Sequence, residues 1–143
     1  MGEIKTAVLA ELGNKDYRHG YAGEFADMIL ARQIRVLRKE RGLTQAELAS
    51  MIGSGQSFIS EIEDEDYGSL SLKTLKDLAK AFDVYLDVRF ASFARLLAHV
   101  EHTAADHLKV PPFDKDPLFA GTFDTLTPAD ANDEVMLPSA LAA

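Results

Sequence analysis

Eight cations gathered in the middle of the chain are the residues best placed to do chemistry: Arg32, Arg35, Arg38, Lys39 and Arg41, then Lys73, Lys76 and Lys80. A basic face of this kind attracts phosphate even where the whole chain is acidic. This chain is acidic, with a formal net charge of −8 over 143 residues. The excess lies toward the C-terminus, since residues 26–90 hold nine Lys/Arg against eleven Asp/Glu and residues 91–143 hold three against eight. Other chemistries are poorly served. Cysteine is absent, which removes thiolate nucleophiles, disulfide frameworks and cysteine-rich zinc sites and fits a reducing, cytoplasmic setting. His99, His102 and His107 fall on one helical stretch, the first two on a shared face, but no third ligand completes a metal site and a solvated face is the simpler reading. The acidic run Glu61, Glu63, Asp64, Glu65, Asp66 lacks the spacing of a calcium loop. Ser57 and Ser60 have no histidine nearby in sequence, and no Gly-rich phosphate loop or paired-carboxylate motif stands out. No enzyme, cofactor or resident metal is therefore expected.

The elements that must position a phosphate-binding face are legible around one stretch. Residues 45–62 read as two short amphipathic helices pinched together at a glycine, with Leu48, Ile52, Ile59 and Ile62 turned inward at the spacing of a 3.6-residue period. Ala49 is small where the second helix crosses close by. Thr44 caps the first helix and Glu47, three residues on, completes a capping box. Gly53 stands where that helix stops, a place that favours positive φ, and Ser54 or Gly55 starts the second.

R-x-x-R-K-E-R-G-L-T-Q-A-E-L-A followed by G-x-x-Q-S-x-I-S-x-I-E resembles the helix-turn-helix of the Cro and phage-repressor family, often called Xre-like, from about Ile34 to Val84. Two positions depart from the family pattern: Ser54 replaces the usual apolar residue after the glycine, and a second glycine, Gly55, follows, so a looser start to the recognition helix is expected. The resemblance implies that Gln56, Ser57 and Ser60 reach base edges, where a glutamine can pair with adenine N6 and N7 together. It implies that Gln45 grips a phosphate at the start of the preceding helix, and that Arg38 and Glu63 form an internal ion pair tying the first helix to the recognition helix. Within the basic face, Arg32, Arg35 and Lys73, together with Ser69 in the following loop, are the expected phosphate contacts. The acidic run at 61–66 opposes this reading, because negative charge beside a duplex repels phosphate and sits badly at a helix C-terminus.

Around this module, residues 1–23 read as a loosely attached extension, helical or arm-like. A helix follows from about Glu24 to near Gly42 with Leu30, Ile34 and Leu37 inward, and another covers 70–82, capped by Ser71. Val84, Leu86, Val88 and Phe90 then alternate with polar or exposed residues at the two-residue period of a strand. A lone strand leaves its backbone unpaired, and Ile4–Leu9 is only a weak partner, so antiparallel pairing with a second copy is expected. Residues 92–109 read as a further helix packed over that strand pair. All five prolines lie beyond it, in an acidic stretch, 110–143, expected to be extended or disordered.

The expectation is a mainly α, lambda-repressor-like helix-turn-helix domain at 24–83 and a dimerising β-strand plus extra helix at 84–109, flanked by the extension 1–23 and the tail 110–143. No apolar run approaches the ~20 residues of a membrane span. Its function would be sequence-specific binding of double-stranded DNA as a homodimeric repressor. The alternative is an antitoxin that binds its own promoter and holds a toxin through the tail or the N-terminal extension.

Overall fold

The computed structural model describes residues 2–121. By its contacts the chain divides into two units, 1–110 and 111–143. The first unit is helical throughout: α1 (Glu3–Glu11), α2 (Lys15–Glu40), α3 (Gln45–Met51), α4 (Gln56–Ile62), α5 (Leu72–Phe82), α6 (Phe93–His99) and the single turn α7 (Ala105–Leu108). Among the described residues no helix is long and apolar enough to cross a membrane.

α2 begins at Lys15 rather than near Glu24. Asn14 caps it, its side-chain oxygen accepting from the Tyr17 N–H at 3.0 Å, and Tyr17, Tyr21 and Phe25 stack at four-residue spacing along its first half. Gly20 and Gly23 hide this start from a propensity reading, since each glycine costs a helix about 1 kcal/mol relative to alanine. The residues before it form α1, which buries Val8 and packs against α6. The weak strand at Ile4–Leu9 is accordingly helix.

The core of the unit is Ile34 and Leu37 from α2, Leu48 and Ala49 from α3, Ile59 and Ile62 from α4, and Leu78 and Phe82 from α5. Leu48, Ile59 and Ile62 are fully buried, so the crossing of α3 on α4 is the driest contact of the domain. Two helices end alike. Gly42 (φ 67°) and Gly53 (φ 69°) are left-handed, and Leu43 N–H bonds to the Arg38 carbonyl while Ser54 N–H bonds to that of Ala49, at 3.1 and 2.8 Å. These are Schellman closures, in which the left-handed residue satisfies carbonyls the helix leaves open. α5 closes in the same way on Asp83 (φ 55°), one of the few side chains that tolerates the conformation. Ser71 caps α5 as its sequence suggests, accepting from Thr74 N–H at 3.1 Å.

Arg38 of α2 crosses to Glu63, just past α4, in a two-pronged pair: Nε to Oε1, and Nη2 to Oε2 at 3.1 Å. Its Nη1 donates to the Leu43 carbonyl at 2.9 Å. The two side chains are 11% and 5% exposed, so each charge relies on the other rather than on water.

The expected strand is absent. Residues 84–90 carry no strand, and 85–91 make no main-chain hydrogen bond among the described residues. A strand is defined by a ladder, and among the described residues no other segment offers an edge to pair with. Val84 leans on the core and Leu86 is half-buried, while Tyr85, Val88 and Phe90 are exposed. Nor is 92–109 one helix over a strand pair. Its carbonyls are drawn away by α2, with Arg32 Nη1 donating to Thr103 at 3.3 Å and Gln33 Nε2 to Leu108 at 3.1 Å. α7 packs on α2 instead, and Val100 and Leu108 are the buried anchors.

In the second unit, the described residues 111–121 hold one 3-10 turn, Phe113–Lys115, with the rings of Phe113 and Phe119 stacked at 4.9 Å. The expectation of an extended tail over 122–143, with Pro128 and Pro138, lies outside the described residues.

Two glycine substitutions are expected to act in opposite directions, although a Cβ meets nothing within 4 Å at either. Gly53→Ala destabilises by about 1–2 kcal/mol through its left-handed backbone, whereas Gly23→Ala, inside α2, stabilises by about 0.5–1 kcal/mol. Urea unfolding of both variants checks the signs. Glu63→Ala leaves a buried guanidinium without its partner and is expected to cost about 3–5 kcal/mol, read as a lowered urea midpoint with an unchanged slope.

Candidate nucleic-acid interface

α3 and α4 form a corner whose outer edge carries the polar side chains singled out in the sequence. The start of α3 is held by a complete capping box: the Glu47 N–H donates to Thr44 Oγ1 at 3.1 Å and the Thr44 N–H to Glu47 Oε2 at 2.7 Å. α4 starts on Gly55, which supplies no side-chain cap. The looseness expected there is offset from outside the helix. Gln56 Nε2, on its first residue, donates to Gln45 Oε1 at 2.7 Å, and Gln45 Nε2 donates to Glu63 Oε2 at 3.0 Å.

A chain of hydrogen bonds therefore runs Gln56, Gln45, Glu63, Arg38, from the exposed first turn of α4 to the half-dry junction with α2. Each link constrains the next. The carboxylate accepts from both Arg38 and Gln45, which sets the Gln45 amide with its nitrogen inward and its oxygen toward Gln56. Gln56 then spends one of its two N–H donors and keeps the other together with its carbonyl oxygen. A free donor beside a free acceptor on one planar amide is the pattern that matches an adenine edge in a major groove.

The structure brings Gln45, Gln56, Arg38 and Glu63 into one network, and sets Ser57 and Ser60 on the exposed side of α4. The remaining candidates do not join it. Arg32 is engaged elsewhere: its Nε and Nη2 lie 2.9 and 2.8 Å from Glu65 Oε1 and its Nη1 reaches the Thr103 carbonyl. Arg35 is exposed on α2 and Ser69 exposed in the loop before α5. Lys73 is 85% exposed and pairs with Asp77 at 2.7 Å, one turn further along α5. The hydrogen bond from Lys73 is the main reason the Asp77 carboxyl is held below its ordinary pKa. Arg35, Lys39, Lys76 and Lys80 hold no ion pair among the described residues, so the free positive charge is spread along α2 and α5.

The acidic run is less hostile to phosphate than its composition suggests. Glu63 and Glu65 turn toward arginines of α2, and Asp64 Oδ1 accepts the Asp66 N–H at 3.0 Å within its own turn. The links from Gln45 to Gln56 and from Arg32 to Glu65 are among those that escape the sequence reading. Eleven and thirty-three residues separate the partners, and no local periodicity reports such contacts. Among the described residues no group of three or more His, Cys, Asp or Glu is placed to hold an ion. His102 and His107 lie edge to face at 4.9 Å.

A helix-turn-helix family matches residues 34–88, the span from the middle of α2 through α5 and into the segment that follows. A Mycobacterium tuberculosis protein named as an antitoxin, HigA2, is 31% identical over 75 residues, which are 52% of this chain and 74% of that protein. No solved structure matches the chain. With the core, the glycine corner and the α3–α4 hydrogen-bond network in place, the chain belongs to the Xre/Cro-like helix-turn-helix family of DNA-binding regulators.

Proposed function

We propose that the protein is a sequence-specific, cytoplasmic repressor that binds a pseudo-palindromic operator as a homodimer. The observation that carries this reading is the Gln56–Gln45–Glu63–Arg38 network, which presents a preset amide at the start of α4. A base-reading side chain ordered before binding loses less entropy when the groove closes on it. Gln56 reads an adenine, Ser57 and Ser60 contact neighbouring bases or phosphates, and the second N–H of Gln45 meets the backbone at the start of α3. Arg35, Lys73 and Ser69 add phosphate contacts. Arg32, bound to Glu65 and the Thr103 carbonyl, has a structural part instead.

Dimerisation falls to residues 84–90. Among the described residues 85–90 make no main-chain hydrogen bond, and Tyr85, Val88 and Phe90 are 87%, 64% and 109% exposed. A second copy of the same segment, antiparallel across a two-fold axis, supplies the ladder and covers those side chains. Two recognition helices so related would read half-sites ~34 Å apart, or a multiple of that.

A second reading is favoured by the likeness to a protein named as an antitoxin. In it the same operator binding represses the protein's own promoter, and another face, the tail 110–143 or the N-terminal extension 1–23, holds a toxin.

Selection of bound sequences from a random duplex pool is expected to enrich a palindrome with wild type. Gln56→Ala is expected to blur one position in each half-site and to weaken binding to the selected site by ~1–3 kcal/mol. Failure of wild type to enrich any sequence would remove the operator reading. Val88→Asp is expected to convert the dimer to monomer in sedimentation equilibrium while leaving the helical circular-dichroism spectrum unchanged. A wild type that is already monomeric at high concentration would remove the dimer.

A further inference from the structure

One face of the helical unit takes no part in the Gln56–Gln45–Glu63–Arg38 network. Tyr17, Tyr21 and Phe25 lie four residues apart on α2 with rings nearly parallel, 5.9 and 6.3 Å between successive centroids and 22° and 14° between planes. The stripe spans two helical turns, ~12 Å, and all three side chains are only half-buried. Its C-terminal end opens into a cleft of about 480 Å³ between α2 and the loop that follows α4. Tyr21, Phe25 and Met28 form the apolar wall, and Glu24, Asp27 and Asp66 stand around it. None of these three carboxylates meets a cation among the described residues. The loop is anchored where it borders the cleft, since Glu65 is bonded to Arg32 of α2 and Gly68 lies so near that a Cβ there would stand 3.0 Å from Asp27 Oδ2. The cleft is therefore built before anything enters it.

We infer that this cleft receives a basic segment of a partner protein, an arginine or lysine side chain lying on the Tyr21 and Phe25 rings with its charge among Glu24, Asp27 and Asp66. The chemistry of the wall chooses the occupant. A guanidinium stacks on an aromatic face and forks to carboxylates at its rim, so it satisfies ring and acid together. DNA is repelled by unpaired carboxylates, and a metal ion would have no use for a two-turn aromatic stripe. Both burial and the neighbouring Tyr17 push the Tyr21 hydroxyl above the ordinary phenol pKa, so it stays neutral and adds no repulsion toward the rim. The site does not depend on the operator reading, because Gln56 begins α4 and the cleft lies beyond its last turn.

The test uses the full-length, isotope-labelled chain titrated with an amphipathic peptide of about 14 residues bearing arginine every third or fourth position, followed by amide NMR shifts at near-physiological salt. Shifts are expected at Tyr17, Tyr21, Phe25 and Asp66, and no binding by a twin peptide with glutamate for arginine. Glu24→Gln with Asp27→Asn is expected to weaken the peptide about tenfold, the same spectrum reporting an intact fold. Asp114→Asn with Asp116→Asn, an equal change of charge in the second unit, leaves affinity unchanged, as does Gln56→Ala. Absence of binding, shifts spread over residues 111–143 instead, or equal weakening by the two double substitutions would overturn the inference.

Discussion

The Arg38–Glu63 pair is the constraint on which the rest of the binding corner depends. A seven-residue helix that begins on a glycine has little stability of its own, and α4 keeps its place because both its ends are tied. Ile59 and Ile62 anchor one face in the core. Glu63, at its C-terminal end, is fastened to α2 by two hydrogen bonds and in turn orients Gln45 and through it Gln56. The pair itself is costly to desolvate and is not strong evidence for stability. Its value is directional: a carboxylate with donors on two sides leaves its neighbours a single way to point.

That arrangement also bears on how an acidic chain can belong to a DNA-binding family. The formal charge of −8 counts every carboxylate alike, but a carboxylate bonded to a guanidinium 2.8 Å away presents far less field to a phosphate than an isolated one. Glu63 and Glu65 are neutralised in this manner by the helix that also carries the free cation Arg35. Glu24, Asp27 and Asp66, none of which meets a cation among the described residues, stand together at a cleft beside an aromatic stripe.

Much of the helical scheme was legible in advance, and for local reasons. The capping box at Thr44 and Glu47, the Ser71 cap and the positive φ of Gly53 each follow from contacts within five residues of chain, where side-chain type and spacing suffice. The start of α2 was missed because Gly20 and Gly23 argued against a helix more loudly than Asn14 and the Tyr17, Tyr21, Phe25 spacing argued for one. The break after α6 was missed for another reason. Thr103 and Leu108 give their carbonyls to Arg32 and Gln33, more than seventy residues away, and no local period reports contacts at that range.

Residues 84–90 mark the boundary between the two kinds of knowledge. Alternation at Val84, Leu86, Val88 and Phe90 is a property of the sequence, but a strand is a property of a pair, and the described residues offer no second member. What the sequence by itself determined was the helix pair, its glycine corner, the inward stripe of Leu48, Ile59 and Ile62, and which side chains of α4 face out, because a 3.6-residue period and local capping are written into adjacent residues. Only the tertiary structure decided that Gln56 is oriented through Gln45 and Glu63, that Arg32 is committed to Glu65, and that an aromatic stripe meets three unpaired acids. These depend on where packed helices bring distant residues, and hydrogen bonds with ranges near 3 Å are set by that packing alone.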